Sequence, residues 1–463
     1  MRYGSSMRID PKNISKAYFI GVGGIGVSAI MRYFSKHDVT LVGSDIVLPR
    51  KGYLPSGTYY EGASADHVPA DASVLIYSPA VPQLHVERVR ARELGIPELS
   101  YPEALAMVTR PHPTMAVSGT HGKSSTTALA GKLFEAGGLD ASVIVGADVP
   151  GWDNNFHEGK GDMFIVEACE YRRHMMHLTP QAIVLTNLEL DHPDYYHDLA
   201  DIKQAFRDYI GKLSGEDLLI INNDDANIRD ITRDFDAIIV RYGVGNGADL
   251  VAKNIKQLET DQQFDLEWKG TMIGTFTTHL PGLYNIYNIL AATAPYLAYG
   301  GPQQAIQGVL NTFHGVGRRF EVLGEYEGAT IISDYAHHPT ALRAVYEAAA
   351  ARYPGKNILT VFRPHHRERT IKLFDQFIET LLALPHTLLV EIYDVAGREE
   401  ETHISSRDVI AKVLEHDPRK DIVFAKDMAE AERISREVAH LYDVILVVGA
   451  GDADKLAAKL VTS

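Results

Sequence analysis

The sequence predicts three α/β domains in one chain, and three observations predict them. Short apolar strands alternate with helical stretches from one end to the other, the pattern of parallel sheets. Two glycine-rich loops, "GVGGIG" and "GTHGKS", each sit between a strand and a helix. Two junctions interrupt the alternation, "TRPHPT" at 109–114 and "FHGVGRRFE" at 313–321. At 463 residues the chain is also too long for one ordinary core. The expected domains are 1–112, 113–317 and 318–463: Rossmann-like, then P-loop ATPase-like with a parallel sheet, then Rossmann-like again.

Taken in order, the strand Ala17 to Ile20 runs into glycine-rich sequence and an apolar-periodic helix. "VTLVGSD" and "ASVLIYSPAV" follow as strands. "TMAVSG" opens the second domain and leads into a helix through "ALAGKLFEAGG", whose paired glycines suit a C-cap. "DMFIVEACE", "AIVLTNLELDH" and "DLLIINNDD" are buried strands that end in polar clusters. "FDLEWKGTMIGTFTTHL" alternates as an antiparallel ribbon would, and "PGLYNIYNILAATAPYLA" is a helix. Beyond the second junction, "ATIISDYAHHP", "NILTVFRPHH", "HTLLVEIYD", "DIVFAK" and "DVILVVGAGD" are strands separated by helices such as "ALRAVYEAAAARY".

Bulk properties narrow the function. A net charge of −15 argues against general nucleic-acid binding, so an anionic ligand must be held by helix N-termini and a few basic side chains. The single cysteine, Cys169, can form no internal disulfide and fits a cytoplasmic protein. No run of eighteen apolar residues suggests a membrane span. The opening MRYGSS is set aside as a leader.

The first loop satisfies Gly-x-Gly-x-x-Gly, and Asp45 ends the next strand where it could take a ribose hydroxyl. On its own this suits an NAD-dependent dehydrogenase, or any nucleotide diphosphate seated on helix amides. In the second loop Lys123 supplies a charge for terminal phosphates and Ser124 a hydroxyl for Mg²⁺. Glu167, Glu170, Asp191 and His192 end neighbouring strands, where ligands of doubly wound sheets gather. A dehydrogenase has no use for the second loop and a simple ATPase none for the first. A nucleotide sensor without turnover would leave the acidic and histidine groups idle.

In order along the chain, "GVGGIGVSAI", "GTHGKSSTT", "EACEY", "TNLELDHPDYY", "PGLYNIYN", "GRRFE", "DYAHHP", "FRPHHRERT" and "GAGD" resemble the motifs of the Mur ligase family. Within it the chain is most similar to the alanine-adding branch. The resemblance implies ATP-dependent joining of L-alanine to the lactyl carboxylate of UDP-N-acetylmuramate through an acyl phosphate, with Mg²⁺, in a monomer or homodimer. It implies Lys123, Glu167, His192 and Arg369 as catalytic groups, Arg369 by clamping the substrate carboxylate. Gly119, Thr120, His121, Gly122, Lys123, Ser124 and Ser125 would hold ATP phosphates, and Asn285 and Asn288 the adenine. Arg319, Asp334 and Tyr335 would reach the nucleotide from the third domain. Ser124, Glu167 and His192 would bind the metal, with Glu170 beside them. Gly23, Gly24, Ile25, Gly26, Asp45, His67, Ser78 and His338 would line the UDP-sugar site.

Several positions depart from the family pattern. Ser124 and Ser125 replace threonines, which keeps the metal-binding hydroxyl. Cys169 replaces an aspartate, and is expected to be a buried thiol. Tyr284 stands where a histidine is usual, His366 where an arginine is, Arg367 is displaced by one, and "DVAGREE" lacks Ala-Gly-Glu. Phe206 and Arg207 occupy the positions where some members carry a carbamylated lysine, which favours the alanine-adding branch. The near alternative is a recycling ligase that adds a ready-made tripeptide; "NLELDH" leans toward it, and "FRPHHRERT" toward the alanine ligase.

Overall fold

The computed structural model describes residues 9–393 and 404–462. The "DVAGREE" departure and the MRYGSS segment lie outside the described residues.

Three sheets carry the chain. The first has five strands in the spatial order Thr58–Glu61, Thr40–Asp45, Lys16–Ile20, Val74–Tyr77 and Glu98–Ser100, all parallel. Lys16–Ile20 lies at its centre, which is why this strand is apolar on both faces. The glycine loop follows it, so the helix Ile25–Ser35 starts at a sheet's carboxyl edge.

The central sheet has ten strands, and its chemistry-bearing members are adjacent. Thr114–Ser118 is flanked by Phe164–Glu167 on one side and Ala182–Leu185 on the other, all parallel. The segments that follow these three strands (the ATP loop, "EACEY" and "TNLELDH") therefore emerge side by side at one edge. The sheet is mixed at its ends. Gln262–Trp268 and Thr271–Thr278 form the expected antiparallel ribbon on Leu250–Gln257, and Ser142–Ile144 pairs antiparallel with Phe156–His157. Helices Lys123–Ala136 and Leu283–Ala298 share one apolar layer beneath the sheet, where Leu129, Leu133, Ile286, Ile289 and Leu290 are buried.

The third sheet orders Glu321–Tyr326, Ala329–Asp334, Val444–Gly449, Ile358–Arg363, His386–Val390 and Asp421–Ala425, parallel except for its first strand.

The two domain contacts differ in kind. The first and central sheets share one hydrophobic cluster, in which Tyr33 packs against Phe156 and Phe164 at ring-centroid distances of 6.2 and 6.0 Å. Buried Arg32 ties the same seam, donating to Asn155 Oδ1 at 3.1 Å and to the Tyr53 carbonyl. The third sheet meets the central one mainly through polar groups. Arg369 bonds Asp191, Lys372 Nζ donates to the Pro193 carbonyl at 3.0 Å, and Thr340 donates to Glu189. Apolar seams hold domains in one arrangement, whereas polar ones exchange readily with water. The central–third junction is the more polar of the two, and the Arg369–Asp191 pair at its centre is buried.

Candidate active site

The ATP loop turns sharply after Ser118. Gly119 has φ +134° and Gly122 has φ +81°, conformations that side-chain-bearing residues rarely adopt. A Cβ on Gly122 would lie 2.2 Å from Asn288 Oδ1. Gly122→Ala should therefore strain the loop and displace Asn288. A left-handed alanine alone costs roughly 1–2 kcal/mol, so steady-state kinetics should show an ATP KM raised about tenfold or more, with UDP-sugar binding unchanged.

Lys123 opens the helix behind this turn. Its ammonium donates to the Gly119 and Thr120 carbonyls at 2.7 and 3.1 Å and to Glu170 Oε1 at 3.0 Å. Burial works against the charge, but Glu170, Cys169 and Glu167 together outweigh it and hold the lysine above its ordinary pKa. Glu170 is held below the usual carboxylate range, its burial outweighed by Lys123 and His192. The pair is thus ionised and nearly dry, with side-chain exposures of 13% and 1%.

The metal expectation can be tested against the donors present. Ser124 Oγ donates to Glu167 Oε2 at 2.9 Å, and the same oxygen accepts from the Gly146 amide at 2.9 Å. His192 Nε2 lies 3.4 Å from Glu170 Oε1. Glu170, Asp191 and His192 bring one ligand atom each within 4.8 Å of the others. Carboxylate and hydroxyl oxygens beside a phosphate loop fit Mg²⁺. Glu170 and Asp191 are closer to His192 than the expected Ser124–Glu167–His192 set had emphasised, so two acidic groupings flank Lys123.

Arg369 lies on the short helix Arg367–Lys372 of the third domain, 2% exposed. Its Nε and Nη2 reach Asp191 Oδ1 at 2.9 and 2.7 Å. The expected clamp on a substrate carboxylate is here occupied by a carboxylate of the protein itself. Burial opposes ionisation of Asp191, and the Arg369 guanidinium drives it well below its ordinary range all the same. His337, half-buried beside them, is held well below its ordinary pKa by desolvation and by Arg369.

The remaining nucleotide residues divide. Asn288 Nδ2 donates to Asn285 Oδ1 at 3.0 Å, and Asn285 Nδ2 to the Pro281 carbonyl, so both amides are buried against the loop. Arg319 and Arg318 both lie over the Tyr335 ring, at 5.1 and 4.7 Å. Arg318 also donates to the Gly451 carbonyl. Asp334 is buried and accepts from the Phe320 and Ala336 amides; burial raises its pKa. Its side chain thus orders the junction.

A cavity of about 390 Å³ lies between the first and central domains. Gly24, Ile25, Gly26 and Ser78 line one side, Gly146, Glu167 and Cys169 the other. Tyr101 closes it where a Cβ on Gly26 would come within 2.8 Å of the ring. Asp45 Oδ2 accepts from the Gly23 amide at 2.8 Å, fixing the loop. His67 stacks on Tyr60 with centroids 4.1 Å apart and bonds buried Glu87, away from the lining residues. His338 is also absent from this lining; it caps the helix Pro339–Arg352 at the other junction. Cys169, expected to be buried, is half-buried on the cavity wall, and burial and Glu170 push its thiol up to about 12.

The sequence places Asp191 among the acidic strand ends but gives no sign of its pairing with Arg369, and it assigns no role to Glu189, His337 or Tyr101. Glu189 stands in the quoted "NLELDH", and only its long-range partners single it out.

The chain is similar to known proteins along nearly all of its length. The Mur ligase family catalytic domain model matches residues 16–112, the Mur ligase middle domain 117–295, and the Mur ligase glutamate ligase domain 318–451. A UDP-N-acetylmuramate–L-alanine ligase of Alkaliphilus metalliredigens is 34% identical over 98% of this chain and 99% of its own. One from Desulfitobacterium hafniense is 33% identical over 96% and 99%. The crystal structure of a UDP-N-acetylmuramate-alanine ligase from Thermotoga maritima shares the fold with a TM-score of 0.81, at 24% identity over 96% of this chain and 98% of that one. A murein peptide ligase from Psychrobacter arcticus has a TM-score of 0.72 at 21% identity, over 97% and 98%. With three family domains matched in order and relatives more than 30% identical over nearly its whole length, the chain belongs to the Mur ligase family.

Proposed function

We propose that the protein joins L-alanine to the lactyl carboxylate of UDP-N-acetylmuramate at the expense of ATP, releasing ADP and phosphate, as a cytoplasmic step of peptidoglycan precursor synthesis. The cavity shared by the first glycine loop and Glu167 carries this reading. It lets a sugar nucleotide seated on Gly24 to Gly26 present its carboxylate beside Ser124 and Lys123.

The chain's own groups explain how two anions can react. Lys123 is preorganised at the loop, and an ammonium fixed in a dry site stabilises phosphoryl charge far better than one in water. Ser124, Glu167, Glu170, Asp191 and His192 would hold Mg²⁺, which supplies further neutralisation of the phosphates. The carboxylate oxygen attacks the γ-phosphorus, the bond to the β-bridging oxygen breaks, and ADP leaves. The amine of L-alanine then attacks the acyl carbon, and phosphate departs from the tetrahedral adduct. Closure of the third domain over the second keeps water from the acyl phosphate, which the polar junction permits.

The acyl phosphate is the testable part. With UDP-N-acetylmuramate, ATP and hydroxylamine but no amino acid, the enzyme should form the sugar-nucleotide hydroxamate, seen as its iron(III) complex and by mass. ATP consumption without hydroxamate would count against this chemistry.

Recycling by tripeptide addition remains the second reading, favoured by "NLELDH". An NAD-dependent dehydrogenase leaves Lys123 and its carboxylates unexplained.

A further inference from the structure

Three elements converge on Glu189, a residue with no part in the steps above. Its Oε1 meets His121 Nε2 of the ATP loop and lies 3.6 Å from His338 Nδ1 of the third domain. Its Oε2 accepts from the Thr340 hydroxyl at 2.9 Å. One ligand atom from each of His121, Glu189 and His338 falls within 4.8 Å of the other two.

The protonation of His338 sharpens the geometry. Its Nε2 faces the Leu190 carbonyl at 3.2 Å, a group that can only accept, so Nε2 carries the hydrogen. Nδ1 is then an acceptor. It takes a long bond of 3.3 Å from the Thr340 amide and otherwise confronts the Glu189 oxygen. Two acceptor atoms 3.6 Å apart, the Thr340 bond being a long one, are placed where a cation could bridge them. A metal-ligating histidine characteristically donates its other ring hydrogen to a backbone carbonyl, as His338 does to Leu190.

We propose that His121, Glu189 and His338 bind one divalent transition-metal ion of the zinc class, tying the ATP loop to the third domain. Two imidazoles and one carboxylate suit zinc or cobalt and offer little to magnesium, which prefers oxygen donors. The ligands share no residue with Glu170, Asp191 and His192, so both sites can fill together. Because His121 and Glu189 come from the central domain and His338 from the third, the ion favours the docked arrangement by mass action.

Cobalt reports on such a site independently of catalysis. Full-length protein in saturating Mg²⁺, titrated with Co²⁺, should develop one equivalent of visible d–d absorption. Glu189→Gln and His338→Gln should each weaken binding at least about tenfold, while His192→Gln leaves the band in place. No band in the unmodified protein, a band indifferent to both substitutions, or one lost only in His192→Gln would overturn the proposal. Should the substituted proteins not fold, zinc-edge anomalous diffraction from soaked crystals of the unmodified protein decides. A peak among the three side chains supports the site, and a peak only elsewhere, or none, refutes it.

Discussion

Lys123→Ala should lower kcat at least about 10³-fold, roughly 4 kcal/mol of transition-state stabilisation, while leaving UDP-N-acetylmuramate binding nearly unchanged. The ammonium is the charge nearest the loop carbonyls, and the cavity lining of the sugar nucleotide does not include it. One complication follows from the structure. Without Lys123, Glu170 keeps a buried charge with only His192 beside it, and breaking a buried pair typically costs about 3–5 kcal/mol of stability. The double substitution Lys123→Ala/Glu170→Gln removes both charges and should recover much of that stability. Turnover should stay lost. Calorimetric titration of the sugar nucleotide beside ADP-release kinetics separates the two effects; recovery of turnover in the double variant would mean that Lys123 is structural.

The second large effect lies at the junction. Arg369→Ala should destabilise the docked third domain by about 3–5 kcal/mol, because Asp191 would be left ionised and buried. The pH dependence follows from the depressed pKa of Asp191. Its contribution is complete above the unfolded carboxylate pKa of about 4 and is lost as pH falls below that toward the depressed folded value. Asp191→Asn should therefore flatten the acid side of the stability–pH curve. Urea denaturation between about pH 3 and 7, followed through Trp152 and Trp268, checks both variants. Unchanged midpoints would show that the pair contributes nothing to docking.

How much of this was legible beforehand follows from the range of each interaction. The strands Thr114–Ser118, Phe164–Glu167 and Ala182–Leu185 are buried on both faces, so they read as apolar runs and their polar ends stood out. Thr58–Glu61 and Glu98–Ser100 were missed, being three or four residues long, at sheet edges and only half-buried. Glu321–Tyr326 was missed for a similar reason: it is an antiparallel edge strand behind a junction.

The site divides along the same line. Lys123 and Ser124 sit in a local motif whose spacing states its chemistry. The partner of Arg369 is 178 residues away in sequence, and nothing in "FRPHHRERT" names Asp191. His338 was grouped with the sugar nucleotide because "DYAHHP" lies beside nucleotide-contacting positions. Folding turns it instead toward Leu190 and Glu189, since its ring caps the helix that begins at Pro339.

The account rests on a sugar nucleotide and ATP meeting across one cavity, with L-alanine as the acceptor. ADP release should be measured with UDP-N-acetylmuramate and ATP, offering in turn L-alanine, glycine, L-serine and the tripeptide, with products identified by mass. The account predicts ADP formation that requires the sugar nucleotide, is fastest with L-alanine, and yields one alanine per sugar nucleotide. Preference for the tripeptide, or no ADP with any acceptor, would contradict it.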